Sequence, residues 1–167
     1  MQHHSVQMYN YHTWANQQVL AHLRELPEDI FRREIPSVFP SISEVLVHMY
    51  VADKMWVEAL RKKLPFDDVA KLSEQLKDEM ATKNLEEMDA MFGQSSEECR
   101  TFFAQHCDLE KTFTLEHPNW EKKQLRIADV VDHLVNHGTY HRGHISAMLR
   151  QMGHKGVSTD YVFYLLR

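Results

Sequence analysis

The spacing of glycine and proline is the feature that most limits how this chain can fold. The 167 residues include only five glycines and five prolines, and these fall between long segments with helical periodicity. Proline ends helices and glycine destabilises their interiors, so long stretches without either residue favour helix. The sequence therefore predicts an all-α protein.

Four long helices and one short C-terminal helix are predicted. The first stops before Pro27, the second begins with a capping box formed by Ser41 and Glu44, and the last long helix is stopped by Gly153. The long helices are predicted over residues 5–26, 41–62, 84–108 and 127–152, and the short one over 159–166. They predict an antiparallel four-helix bundle in a single domain, residues 1–167, with a long connection between helices two and three.

A short β-hairpin is predicted between helices three and four. Phe113 and Leu115 alternate with threonines, and the residues at 117–119 have the composition of a turn.

Charge and hydropathy exclude several classes of partner. The formal net charge is −5 and no basic stripe is present, whereas nucleic-acid binding needs concentrated lysine and arginine. No apolar run approaches the roughly 20 residues that span a bilayer, and the N-terminus lacks the apolar core of a signal peptide. Cys99 and Cys107 are roughly 12 Å apart on a helix, too far for a disulfide. Free thiols and the lack of a leader predict a cytoplasmic protein. Its charge and hydropathy predict that it binds neither nucleic acid nor membrane.

Histidines are concentrated on the inner face of the fourth helix. At 100° per residue, His137 and His141 lie in one sector with Val130, Leu134 and Ile145. A helical His-x-x-x-His pair can share one metal ion, although a core histidine is more often only hydrogen-bonded. His133 and His141 are roughly 12 Å apart, so a straight helix cannot bring both to one ion.

A third ligand must therefore come from another helix. His48 is the first candidate because it shares a stripe of the second helix with small residues that leave space beside an ion. His106, on the inner seam of the third helix, is the rival third or fourth ligand. His12 and His22 lie off the first helix's stripe and are predicted to be exposed, and His154 is predicted to lie in a loop.

Three segments together resemble one family. They are "YNYHTWANQQVL" in the first helix, "VLVHMYVAD" in the second and "LVNHGTYHRGHISAMLRQMG" in the last. The chain resembles the DinB-like family, also grouped with YfiT-like metal-dependent hydrolases, over nearly its whole length, and residues 65–84 are the least informative part.

The resemblance implies a four-helix bundle with a divalent metal held by His48, His137 and His141. It selects this middle pair over His133/His137 and His141/His144. His144 stands where many members carry glutamine, which makes it a candidate extra ligand or a group that supports a ligand. The family also implies a homodimer.

Four further residues are candidates for supporting roles around the histidines. Asp53 lies among apolar residues and needs a partner; structural pairing with Arg142 or another base is favoured over orientation of a histidine. Asn16 is predicted to serve a buried network rather than a ligand. Tyr140 is interpreted as packing or as a donor to a bound anion, and Gly138 as close helix packing or substrate room.

Three neutral imidazoles leave an open coordination position, which is typical of catalytic rather than structural metal sites. Zinc or nickel are the first candidates, with iron or manganese as alternatives. The leading hypothesis is a bacterial enzyme for a small-molecule substrate, either a metal-dependent hydrolase or a transferase that uses a low-molecular-weight thiol as cosubstrate, as relatives in the wider superfamily do. The alternatives are a non-catalytic metal- or small-molecule-binding bundle and a bundle whose histidines are satisfied core groups.

Overall fold

The computed structural model describes residues 3–105 and 108–167 and confirms the all-α class. The helices are α1 (His4–Arg24), α2 (Ile42–Lys62), α3 (Phe66–Ala81), α4 (Leu85–Gln105), α5 (Ile127–Gln151) and α6 (Tyr161–Leu165). The predicted long helices correspond to α1, α2, α4 and α5. A 3₁₀ turn at Glu28–Phe31 follows α1.

Side-chain caps fix where two of the long helices begin. Ser41 Oγ accepts a hydrogen bond from the backbone N–H of Glu44 at 3.3 Å, which starts α2 with one of the two hydrogen bonds of the predicted capping box. Asn84 and Glu87 satisfy each other's backbone N–H groups, each at 2.9 Å, immediately before and within the first turn of α4. Both devices satisfy N–H groups that have no partner within the helix.

The predicted hairpin is confirmed as an antiparallel pair of strands, β1 (Thr112–His117) and β2 (Trp120–Arg126). Phe113 is paired with Leu125, and Pro118 and Asn119 form the turn. The second strand leads directly into α5, so the hairpin fixes where the histidine-bearing helix begins.

The long connection between the second and third predicted helices contains a helix that the sequence analysis did not assign. This helix, α3, packs against α2 and buries Leu76 and Met80 in the core. Its other surfaces are largely exposed, so the element has one narrow apolar edge.

Helix α5 packs against both α1 and α2, and α4 closes the bundle against α1 and α2. Ring contacts show that α2 and α5 are antiparallel, because His48 lies beside His137 and His141 while Trp56, further along α2, lies beside His133. Cys99 of α4 is a buried free thiol, and burial raises its pKa to about 12. Over the described residues, no helix has both the length and the apolar character that a membrane crossing requires.

Candidate metal centre

Three histidines from two helices meet where α2 faces α5. His48 projects from α2, while His137 and His141 occupy successive turns of α5. His48 stands at the solvent-facing edge, His137 is half-buried and His141 is only 5% exposed. The structure thus brings together the three residues that the family resemblance selects.

The distances suit a shared ion. One ring nitrogen from each of His48, His137 and His141 lies within 4.8 Å of the other two. The Nε2 atoms of His48 and His137 are 3.0 Å apart. Two nitrogen ligands that each lie about 2.1 Å from one ion are about 3.0–3.4 Å apart at angles from a right angle to the tetrahedral value. This pair of lone-pair atoms is therefore already at the separation that common ligation requires.

The imidazoles are neutral at physiological pH, as ligands must be. Burial, followed by the neighbouring His48, lowers the pKa of His137 to about 4. Burial, followed by the neighbouring His137, lowers the pKa of His141 to about 4. The pKa of His48 is lowered by burial and then by Lys77. A metal ion that arrives near pH 7 therefore meets free lone pairs rather than competing protons.

Aromatic side chains line one side of the cluster. Phe39, from the segment before α2, lies against His48 and His141, with ring centroids 5.3 and 5.5 Å away. Tyr140 is 63% exposed and contacts His141 and His144. His144 itself lies 5.3 Å from the His141 ring, beside the cluster but outside the group of three. These rings make an apolar border around a polar centre.

The other candidate ligands lie elsewhere or are not described. His133 is exposed and stacks on His137 at 5.8 Å, so it extends the histidine row without joining the group of three. His106 lies outside the described residues. His154 lies in a loop, as predicted.

The prediction that His12 is exposed is wrong. His12 is 1% exposed, and its Nε2 lies 2.8 Å from Oδ2 of Asp53. Asp53 is therefore paired with a base, as predicted, and that base is His12 rather than Arg142. His22, also predicted to be exposed, is half-buried and lies 2.9 Å from the carbonyl of Lys155.

A buried network joins α1 to α5 beside this pair. Arg142 donates to Asn16 Oδ1 and to Thr139 Oγ1, each at 2.9 Å. Arg142 is 2% exposed and burial lowers its pKa, an effect that Tyr11 and Asp53 oppose. The prediction that Asn16 serves a buried network is confirmed.

Gly138 lies in the tightest contact of this network. A Cβ atom at this position would be 2.3 Å from Cε1 of His12 and 2.8 Å from Nη1 of Arg142. Close packing between α1 and α5, one of the two interpretations of this glycine, therefore accounts for it.

Sequence reasoning missed His12 because it drew the buried stripe of the first helix too narrowly. At 100° per residue, His12 is only about 20° from Leu23, which belongs to that stripe. Its spacing of four from Asn16 was a further signal of a shared inner face. Phe39 gave no such signal, because it lies in an irregular segment with two prolines.

Comparisons with known proteins agree with this architecture. A family model described as the DinB family matches residues 1–166 of this chain. Protein DinB of Bacillus subtilis (strain 168) is 43% identical over 158 residues, which cover 95% of this chain and 91% of that protein.

Proposed function

The chain belongs to the DinB family, and on that premise we propose that it is a metal-dependent enzyme. His48, His137 and His141 hold one divalent transition-metal ion in this proposal. The observation that carries it is the convergence of three neutral imidazoles within 4.8 Å, from two separate helices. Ordinary packing gives little reason to bring three such rings together, one buried and one half-buried on the same helix face.

The donor set favours catalysis over a structural role. Among the described residues, no carboxylate or thiol shares the group of three. Three histidines leave the charge of a divalent ion uncompensated and at least one position open, whereas structural zinc sites have four protein ligands. Zinc and nickel fit imidazole donors best, with iron and manganese as alternatives.

A bound ion supplies Lewis acidity, which lowers the pKa of a thiol or a water molecule and makes either a nucleophile near neutral pH. The chain's own residues supply the rest of the site. Phe39 and Tyr140 give an aromatic border that can pack against a small substrate.

The proposed reaction class is transfer to, or hydrolysis of, a small electrophilic substrate. In thiol transfer, a bond forms between the thiol sulfur and the electrophilic carbon, the bond from that carbon to its leaving group breaks, and the thiol proton passes to solvent. In hydrolysis, water takes the place of the thiol. In this proposal both reactions would need the open coordination position of the metal. They differ in the nucleophile, so an assay panel with and without thiol separates them.

The first experiment asks whether the three histidines bind metal. Metal content is measured for the wild-type protein, for His137→Ala and for His133→Ala, a matched control in the same helix that lies outside the group of three. We expect about one ion per chain in wild type and in His133→Ala, and little in His137→Ala. Equal metal in His137→Ala and wild type would end the proposal.

The second experiment asks for turnover. The metal-loaded protein is incubated with cysteine, bacillithiol or glutathione and a haloalkyl electrophile, and separately with a panel of esters and amides. Thiol consumption that depends on His137 supports a transferase, and His137-dependent cleavage supports a hydrolase. Metal binding without either reaction would contradict the proposed enzyme and favour a non-catalytic metal-binding protein.

A further inference from the structure

In the proposed metal site His137 ligates through Nε2, so the other ring nitrogen, Nδ1, needs a hydrogen-bond partner of its own. A neutral imidazole that ligates through Nε2 carries its proton on Nδ1. Nδ1 of His137 is buried and has no hydrogen-bond partner among the described residues. A buried donor without an acceptor is costly, and metal-ligating histidines almost always donate this proton to a carboxylate, a carbonyl or water.

Asp53 has a carboxylate oxygen that is also buried and without a hydrogen-bond partner among the described residues. Its Oδ2 faces His12, while its Oδ1 is buried and unpartnered within the described part of the chain. The residue is only 6% exposed, so bulk water does not satisfy this oxygen.

The order of contacts along the two helices puts Asp53 at the level of His137. Because α2 and α5 are antiparallel, His48 contacts His137 and His141, and Trp56 contacts His133 one turn away. Asp53 lies between His48 and Trp56 in α2. Its partner His12 packs directly on Gly138, the residue next to His137.

Electrostatics agree with that placement. Burial, followed by the charge of His48, lowers the pKa of His137, and Asp53 acts in the opposite direction. The carboxylate is therefore close enough to act on this ring.

The shortest contact of His12 sets the direction of its hydrogen bond with Asp53. Nε2 of His12 lies 2.8 Å from Oδ2 of Asp53 and 3.1 Å from Nδ2 of Asn16. Because the nearer partner is a carboxylate oxygen, which accepts, His12 donates its Nε2 proton to Asp53. The second oxygen of Asp53 is left for another donor.

We propose that Asp53, held by His12, is a positioning residue whose Oδ1 accepts the Nδ1 proton of His137 through one buried water. This contact would hold the His137 ring in the tautomer that presents Nε2 to a metal. The inference rests on the proposed metal site and assigns it a support outside the three ligands.

The test uses Asp53→Asn. An amide has one acceptor end and one donor end, so it cannot accept from His12 and from His137 together. We expect zinc affinity, measured by competition with a chromophoric chelator, to fall by at least about tenfold. Asn16→Ala damages the same buried network but keeps the carboxylate, and is expected to stay within about threefold of wild type. Asp53→Glu, which restores the carboxylate, is expected to recover part of the loss.

A second measurement, of the His137 tautomer, distinguishes the positioning role of Asp53 from a merely structural one. Long-range ¹H–¹⁵N spectra of the metal-free protein near neutral pH report which nitrogen of His137 carries the proton. We expect Nδ1–H in wild type and a shift towards Nε2–H in Asp53→Asn. An unchanged zinc affinity or an unchanged tautomer would overturn the proposal.

The two proposals can fail separately. A wild-type protein that binds no metal would end the proposed function, yet the tautomer comparison, made without metal, would still decide the role of Asp53. If Asp53→Asn does not fold, the wild-type spectrum decides alone, because an Nε2–H tautomer of His137 would contradict the inference.

Discussion

At Gly138 the bundle has no room for a side chain. Its missing Cβ would be 2.5 Å from Nδ1 of His12, a ring held in place by Asp53. Alanine is the better helix former by about 1 kcal/mol, but here the overlap is expected to dominate.

Gly138→Ala is therefore predicted to destabilise the fold by about 1–3 kcal/mol in urea unfolding. The control is Gly143→Ala in the same helix, because a Cβ there would meet no other described atom within 4 Å. That variant should be neutral or up to about 1 kcal/mol more stable. Equal effects at the two positions would contradict the packing account.

Glu58 links charge to stability at a buried position of α2. It is 5% exposed, and its oxygens lie 2.9 Å from Arg61 and 2.8 Å from Lys62. Burial raises its pKa, but the hydrogen bond with Lys62 and the charges of Lys62, Arg61 and Lys54 together bring the pKa below its usual 4.5. A carboxyl whose pKa is depressed by folding stabilises the native state above its unfolded pKa and loses that contribution as the pH falls.

Glu58→Gln is accordingly predicted to lower the free energy of unfolding at pH 7, and the difference from wild type should shrink as the pH falls below about 4.5. Glu97→Gln serves as the control, since Glu97 forms an exposed pair with Arg100. Its effect should stay within about 1 kcal/mol at every pH. A Glu58→Gln difference that does not depend on pH would contradict the charge-based account.

At the scale of elements, the helix caps were read from the sequence but α3 was not. The caps at Ser41 and Asn84 are local patterns of a few residues, and in both the capping side chain accepts the expected backbone N–H. In α3 the inward residues Leu72, Leu76 and Met80 recur every four positions, as in a helix, but they are few and lie in a largely polar segment that was interpreted as a connection. Its position depends on packing against α2, which no local pattern records.

Met80 tests whether α3 is part of the cooperative fold. This side chain is 0% exposed in the main core cluster. Met80→Ala is predicted to reduce the free energy of unfolding by about 2–5 kcal/mol. Asp78→Ala, at an exposed position of the same helix, should change it by no more than about 0.5 kcal/mol. A small loss for Met80→Ala would mean that α3 docks independently of the bundle.

At the scale of the whole molecule, the histidine site depends on contacts that join distant parts of the chain. Helical spacing places His137 and His141 on one face, but it cannot decide between His48 and His106 as their partner. The family resemblance made that choice, and the packing of α2 on α5 brings His48 to within hydrogen-bonding distance of His137. The Asp53–His12 pair joins residues 41 positions apart and depends on the same three-helix packing.

The homodimer implied by the family remains a prediction. Light scattering coupled to gel filtration should give a mass of twice the 19.8 kDa of one chain. A mass of one chain at all concentrations tested would contradict it.

The central claim is that His48, His137 and His141 together hold one ion and leave a coordination position open. Crystals of the protein grown with zinc, measured at wavelengths on both sides of the zinc absorption edge, test it most directly. We predict one anomalous peak per chain at about 2.0–2.1 Å from a ring nitrogen of each histidine, with no fourth protein ligand. The account would be contradicted if no peak lay at these three rings, or if a fourth side chain also coordinated the zinc ion.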